Sequence, residues 1–189
     1  MVDEVPEPAL AAALVALDLA DRRVRPMWAA HWVADGLGGP STAEFAGLRG
    51  DEAEVSDLWP EALAELGAAH AVVMPRRTAA AWCAQQVVSG RRDAAWLVRA
   101  LWPHQGWDEG DGDGEVDGVV HALDDLLDRI PVAADHPPRR RRARQRADEQ
   151  ARAWQLLADA VVAAMATGGI PAAAAVLDDD GVRGRSAQR

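Results

Sequence analysis

Apolar residues recur at helical spacing along almost the whole chain, and this periodicity limits the fold more than any other feature. The clearest case is one helix face that holds Val119, Val120, Leu123, Leu126, Leu127 and Ile130. Elsewhere the chain is rich in alanine and arginine, which are strong helix formers. The one strand-like run, AVVM at residues 71–74, is too short and too isolated to build a sheet. The sequence therefore predicts an all-α fold.

Helix start and stop signals divide this pattern into about seven helices. Gly36 and Gly67 are expected to end helices, since glycine readily adopts the left-handed backbone conformation found there. Capping boxes at residues 41–44 and 51–54 are expected to begin them. The long last helix is expected to reach Gly168–Gly169. We expect a single helical bundle over residues 5–177, with an acidic glycine-rich loop at 104–117, a linker at 131–138 and a disordered tail at 178–189.

Two segments share the pattern W-x-A-x-x-V-x-x-G, at residues 28–36 and 82–90. One interpretation is an internal duplication. The other is that both are amphipathic helices that turn tryptophan towards the core and end near a glycine. The sequence leaves both interpretations open.

The composition excludes several kinds of chemistry. All 20 basic residues are arginine, so a phosphate-loop lysine, a Schiff-base lysine and a Ser-x-x-Lys nucleophile are absent. Cys83 is the single cysteine and lies within a predicted helix, where a small core residue is expected rather than a nucleophile. The first residues are acidic, and the run ALAAALVAL is too short to span a membrane. We expect a cytoplasmic, non-enzymatic protein with no cofactor and no membrane partner.

The chain has a net charge of −10, and two groups of acidic residues stand out. The first group is Asp51, Glu52, Glu54 and Asp57; the second, in the predicted loop, is Asp111, Asp113, Glu115 and Asp117. An acidic surface steers a basic protein partner and raises the association rate. We take these residues as candidates for binding a protein partner. The alternative is that they only keep the protein soluble.

The acidic loop also resembles a calcium-binding loop of the EF-hand or dockerin type. Read from Asp113, the spacing places carboxylates at Glu115, Asp117 and Asp124; read from Glu109, it leaves the last ligand position to a valine. The first register ends in aspartate rather than the bidentate glutamate that calcium favours, and no helix leads into either. A flexible acidic loop is therefore favoured over calcium binding.

A basic segment contrasts with this acidity, because six of the eight residues 139–146 are arginine: Arg139, Arg140, Arg141, Arg142, Arg144 and Arg146. Arginine side chains bind phosphates well, so the alternative function is a nucleic-acid-associated regulator that uses the segment Arg139–Arg152. The segment could instead pair with the protein's own acidic loop. Cations at a helix N-terminus are unfavourable and neighbouring arginines repel, so we expect residues 132–146 to be frayed or loosely helical.

Residues 28–67 resemble a pattern found in small helical proteins of high-GC bacteria. The shared elements are a tryptophan helix ending at Asp35–Gly36, the stretch AGLRGDEAEV and the stretch DLWPEALAELG. These proteins have no assigned activity, so the resemblance implies a bacterial helical accessory protein and transfers no site residue. Immunity proteins and antitoxins, which neutralise basic toxins, provide the favoured functional hypothesis: a binding protein that engages a protein partner through its acidic surface.

Overall fold

The computed structural model describes residues 5–102, 114–130 and 141–179. Every regular element in these ranges is helical, which confirms the all-α prediction. Nine α-helices are described there rather than about seven, and a 3₁₀ turn, Arg22–Val24, precedes the second of them. The helices are α1 Pro8–Ala16, α2 Arg25–Ala34, α3 Pro40–Ala46, α4 Glu54–Glu65, α5 His70–Val73, α6 Pro75–Val88, α7 Ala94–Leu101, α8 Gly114–Asp128 and α9 Arg141–Asp179.

The chain divides into two compact units, residues 1–79 and 80–189, and the division falls inside α6. The first unit contains α1 to α5, and the second contains α7 to α9. The expectation of a single bundle over residues 5–177 is thus not confirmed and stays a prediction. Each unit is described below by itself.

Several helices end in the same way, with one residue of left-handed φ that reverses the chain. The predicted stops and the hinge glycine of the α6–α7 connection have φ between 68° and 78°: Gly36, Gly67 and Gly90. After each, an amide donates to a carbonyl five residues back, as Leu37 does to Trp32 at 2.8 Å. Helix α1 uses Asp18, at φ 55°, because aspartate tolerates this conformation. The helix ends predicted at Gly36 and Gly67 are confirmed.

The strand-like run at residues 71–74 is mostly helical and forms most of α5. The Met74 amide donates to the His70 carbonyl at 3.3 Å, which closes one helical turn. No strand lies in the described ranges to pair with this run. A local turn is therefore the arrangement that satisfies its backbone groups.

Aromatic side chains form the core of the first unit. The Trp32 and Trp59 rings stack with their centroids 6.4 Å apart, and the Phe45 ring lies 5.3 Å from that of Trp59. Trp28 is buried in the same cluster. The indole Nε1 of Trp32 donates to the Pro6 carbonyl at 3.0 Å, which attaches the segment before α1 to α2. Together the rings join α2, α3 and α4.

Alanine determines how closely the neighbours of α1 approach it. Ala11, Ala12, Ala13 and Leu14 are consecutive and fully buried, so the helix is covered on all sides here. Helix α1 contacts α4 and α5. A single methyl group per residue permits this close packing and leaves no room for a longer side chain.

Replacing Ala12 with leucine should destabilise the protein by about 1–3 kcal/mol, because added methylenes overpack a filled core. Urea unfolding measures the change. The matched control is Ala34→Leu on the exposed side of α2, for which we expect a change within about 0.5 kcal/mol. Equal effects of the two substitutions would contradict the close packing described for α1.

The second unit is organised around α8, which contacts both α7 and α9. Most of the apolar face predicted for this helix is fully buried, namely Val119, Val120, Leu123 and Leu126. Helix α9 contributes Val161, Met165 and Ile170 to the buried interior. The helical periodicity of the sequence therefore predicted this face correctly.

Helix α9 bends at Gly169, whose φ of 69° and ψ of −160° are not helical. The end predicted at Gly168–Gly169 is thus a kink, and the helix resumes as far as Asp179. Pro171 is tolerated close after the kink, because the first turn of the resumed helix needs no amide from it. Residues 178–179, expected in the disordered tail, are helical, and residues 180–189 lie outside the described residues.

Residues 141–146, expected to be frayed or loosely helical, form the first turns of α9. Arginine, alanine and glutamine are strong helix formers, and this propensity outweighs the unfavourable dipole. In addition, Gln145 Nε2 donates to Glu149 Oε1 at 3.0 Å across one turn. The expected linker at 131–138 and the rest of the expected frayed segment, 132–140, lie outside the described residues.

Candidate interaction surface

Helix α4 presents a row of carboxylates to solvent. Its other side packs into the first unit's core through Val55, Trp59, Ala62 and Leu63. Glu54, Asp57 and Glu61 are exposed and spaced at i, i+3 and i+7, which places them on one side of the helix. We call these three residues the acidic face. Its first two carboxylates also lie in the first turn, where the helix dipole favours negative charge.

Three of the four acidic residues predicted here are exposed: Asp51, Glu54 and Asp57. The fourth, Glu52, is only 23% exposed, and its carboxylate accepts hydrogen bonds from the Arg49 and Gly50 amides, both at 2.9 Å. It also forms an ion pair with Arg49 Nε at 3.2 Å. These bonds, the Arg49 amide first, lower the pKa of Glu52 from 4.5 to about 2. Glu52 therefore stabilises the turn before α4.

The local capping boxes predicted at residues 41–44 and 51–54 are both wrong. Helix α3 begins one residue before Ser41, so Ser41 already lies within the helix. Helix α4 begins after Ala53, which has no side-chain cap. The carboxylate that caps α3 comes from elsewhere in the chain.

Glu65, the last residue of α4, caps the N-terminus of α3. Its carboxylate accepts hydrogen bonds from the amides of Gly39 at 3.0 Å, Ser41 at 3.0 Å and Thr42 at 2.9 Å, and from the Thr42 hydroxyl at 2.9 Å. These bonds, the Thr42 amide first, lower the pKa of Glu65 from 4.5 to about 2. A capping motif within one helix start cannot reveal this contact, because the partners are more than twenty residues apart.

Replacing Glu65 with glutamine should lower the free energy of unfolding near neutral pH and flatten its dependence on acid. Folding lowers this pKa, so the carboxylate stabilises the fold fully above about pH 4.5, and the contribution is lost as the pH falls towards 2. Urea unfolding at about pH 7, 4.5 and 3 measures both effects. Glu52 keeps part of the acid dependence in the variant, because its pKa is lowered over the same range.

The control for this prediction is Glu61→Gln, one helical turn earlier on the exposed side of α4, which should leave the acid dependence unchanged. If the wild type and the Glu65→Gln variant lose stability equally between pH 4.5 and 3, the capping role is contradicted.

The second predicted acidic group lies in the other unit. Glu115 and Asp117 are in the first turn of α8, and Asp111 and Asp113 lie outside the described residues. Because α8 begins at Gly114, the last four residues of the acidic loop predicted at 104–117 are helical. Carboxylates in a first turn stabilise the helix through its dipole.

The start of α8 also contradicts both calcium registers. An EF-hand loop arranges its ligands on a turning, non-helical backbone. From Gly114 to Asp124 the backbone is helical instead. Within the described ranges, no group of three or more histidine, cysteine, aspartate or glutamate side chains is placed to hold a metal ion.

Three aspartates further along α8 form an acidic cluster that the sequence analysis did not single out. Burial, followed by repulsion from Asp128 and Asp125, raises the pKa of Asp124, while His121 lowers it. His121 Nδ1 lies 2.8 Å from the Asp117 carbonyl, one turn earlier. The i, i+4 spacing of Asp124 and Asp128 is the sequence signal that could have revealed this cluster.

The predicted arginines are only partly described. Arg139 and Arg140 lie outside the described residues. The backbone of the others runs through the first turns of α9, while their side chains are outside the description: Arg141, Arg142, Arg144 and Arg146. Arg152, further along the same helix, is exposed.

Aromatic and basic side chains also meet near the α6–α7 connection, which the sequence analysis did not identify. The Arg92 guanidinium lies 5.3 Å from the centroid of the Trp96 ring, and the Trp82 ring meets that ring edge-on at 6.4 Å. Asp93 caps α7 by accepting the Trp96 amide at 2.6 Å. This group stabilises the connection between the two helices.

Cys83 is fully buried in α6, as predicted for a small core residue. Burial raises the pKa of its thiol to about 12. The nucleophilic thiolate is therefore scarce at neutral pH.

No model of a known protein family matches the chain, and no curated protein or solved structure is significantly similar to it. The resemblance over residues 28–67 therefore stays a prediction. By length and composition alone, residues Asp148–Asp179 of α9 could cross a membrane, a test that the core helix of a soluble protein also passes. The expectations about localisation and membranes likewise stay predictions.

Proposed function

We propose that the protein is a cytoplasmic, non-enzymatic binding protein of the immunity or antitoxin type, which engages a basic protein partner through its acidic face. The supporting observation is the row formed by Glu54, Asp57 and Glu61 on α4. Within the described part of the chain, none of these carboxylates bonds to another side chain. Their negative charge is therefore directed to solvent rather than used within the fold.

The core contacts of α4 support this proposal, because they hold the row of carboxylates in place. Trp59 and Leu63 hold the opposite side of the helix in the aromatic core, so the backbone beneath the carboxylates is held in place. A preorganised surface loses little entropy on binding. Glu54 and Glu61 are about 10.5 Å apart along the helix, a span that suits several arginine or lysine side chains of a partner. Asp51, exposed in the preceding turn, extends the charge.

Electrostatic steering is the physical role proposed for the acidic face. Opposite charges raise the association rate by about tenfold or more at low salt. Screening limits this effect to about 10 Å at 0.1 M ionic strength. Binding should therefore weaken as salt is added, mainly through a slower association.

Neutralising the acidic face should weaken the binding of a basic protein partner. The variant is Glu54→Gln/Asp57→Asn/Glu61→Gln, used as bait beside the wild type in a low-salt lysate of the native host. We expect the wild type to retain a basic protein in stoichiometric amount, and the purified pair to associate about tenfold more slowly with the variant.

The matched control removes the same number of exposed charges elsewhere, by Asp35→Asn/Asp125→Asn/Asp128→Asn, and should retain the partner. If no stoichiometric partner is recovered, or if the acidic-face variant retains it as well as the control does, the proposal is wrong.

The second candidate function is a nucleic-acid-associated regulator. The observation that favours it is the start of α9 at Arg141, which places Arg141, Arg142, Arg144 and Arg146 on one helical backbone with exposed Arg152. A helix of this kind can lie along a phosphate backbone, and arginine forks bind phosphate oxygens.

Replacing Arg141, Arg142, Arg144 and Arg146 with glutamine tests this candidate in a mobility-shift titration on mixed DNA and RNA. If each arginine neutralises one phosphate, the slope of log K against log salt should fall by about 3 to 4. The control replaces Arg23, Arg49, Arg91 and Arg99, exposed positions outside α9. A wild type that shifts neither nucleic acid at low salt, or equal slopes for both variants, excludes this function.

A further inference from the structure

Helix α9 is apolar on two opposite sides, and only one of them packs against the part of the chain that the structure describes. The packed side includes Ala158, Val161 and Met165, which are buried. The opposite side is exposed and carries only small or apolar side chains over four turns: Ala153, Leu156, Ala160, Ala163 and Thr167. We call these five residues the open face. Leu156 is 70% exposed.

The spacing of the open face is that of a helix-pairing seam. Its members follow one another at alternating intervals of three and four residues, as the a and d positions of a heptad do. Alanine lets two helix backbones approach closely, and Leu156 is the one large side chain that would fill the space between them. A contiguous exposed apolar face on a soluble helix normally marks a surface for another protein.

Two charges on one edge of the open face indicate the orientation of a partner helix. Arg152 and Asp159 are both exposed and seven residues apart, so they occupy the same heptad position. They are about 10.5 Å apart along the axis, too far to pair within one helix. Asp159 Oδ1 accepts a hydrogen bond from Gln155 Nε2 at 2.9 Å, one turn earlier in the same helix.

Equivalent edges of two helices face each other only when the helices are antiparallel. Arg152 of one copy then lies opposite Asp159 of the second copy, and the reverse pair forms by symmetry. The pairing is centred between residues 155 and 156, so the two Leu156 side chains meet. In a parallel pair Arg152 and Asp159 would face Leu157 and Ala164 of the second copy, which carry no charge. The charge pattern therefore complements itself around a two-fold axis.

We propose that the open face of α9 pairs with the open face of a second copy of this chain in an antiparallel, two-fold symmetric dimer. Lipid is a poorer occupant, because Arg152 and Asp159 flank Leu156 and would be costly within a bilayer. Five side chains per copy make a small interface, so the dimer is weak and reversible. This proposal is independent of the acidic face.

Sedimentation velocity of the purified full chain from about 5 to 300 µM tests the proposal. The wild type should show a reversible monomer–dimer equilibrium. Leu156→Glu, Arg152→Asp and Asp159→Arg should each weaken the dimer by about tenfold or more. Val88→Glu, at an apolar position that is 62% exposed on α6, is the matched control and should dimerise as the wild type does. Circular dichroism verifies that each variant is folded.

Mixing the single-charge variants tests the antiparallel geometry. The Arg152→Asp chain carries two acidic edge residues and the Asp159→Arg chain two basic ones, so each should dimerise more weakly alone than the wild type does, and the two should form a tighter heterodimer when mixed. The double variant R152D/D159R should dimerise again by itself. A wild type that is monomeric at about 300 µM, or a dimer that survives Leu156→Glu, overturns the proposal. So does the absence of rescue on mixing, or binding of the wild type to phospholipid vesicles that Leu156→Glu abolishes.

Discussion

The stacking of Trp32 on Trp59 is the interaction on which the first unit most depends. It joins α2 to α4, and Phe45 extends the cluster to α3. Because the rings hold one side of α4 in the core, the carboxylates on the other side point to solvent at a constant spacing. The candidate interaction surface is therefore a consequence of core packing: the aromatic cluster determines which charged residues of α4 are presented.

The carboxylates of this region are of two kinds, which differ in whether they accept hydrogen bonds within the fold. Backbone amides donate hydrogen bonds to the Glu52 and Glu65 carboxylates and so lower the pKa of both. Glu52 thereby stabilises the turn before α4, and Glu65 stabilises the start of α3. Glu54, Asp57 and Glu61 bond to no other side chain in the described ranges and keep their charge for solvent or a partner. Identical residue types therefore either bond within the fold or face solvent, according to the backbone groups within reach.

In the second unit, the composition of α9 does not predict which of its sides is packed. Its sequence is apolar on two opposite sides, yet within the described ranges its buried residues lie on one side only, and α8 packs against it. The uncovered side carries Leu156 between charges of opposite sign. The same helix passes a length-and-composition test for a membrane span, but the charges beside Leu156 favour a protein surface as its partner.

Local patterns in the sequence determined the all-α class, the glycine helix ends, the burial of Cys83 and the apolar face of α8, because helical periodicity and left-handed glycine are properties of a few neighbouring residues. Only the tertiary structure decided that Glu65 caps α3, because 23 residues separate Glu65 from Thr42, whose amide its carboxylate accepts. It also divided the chain into two units and resolved the short helices α3 and α5. These features depend on contacts between residues far apart in the chain, and a local sequence pattern does not show which distant residues come into contact.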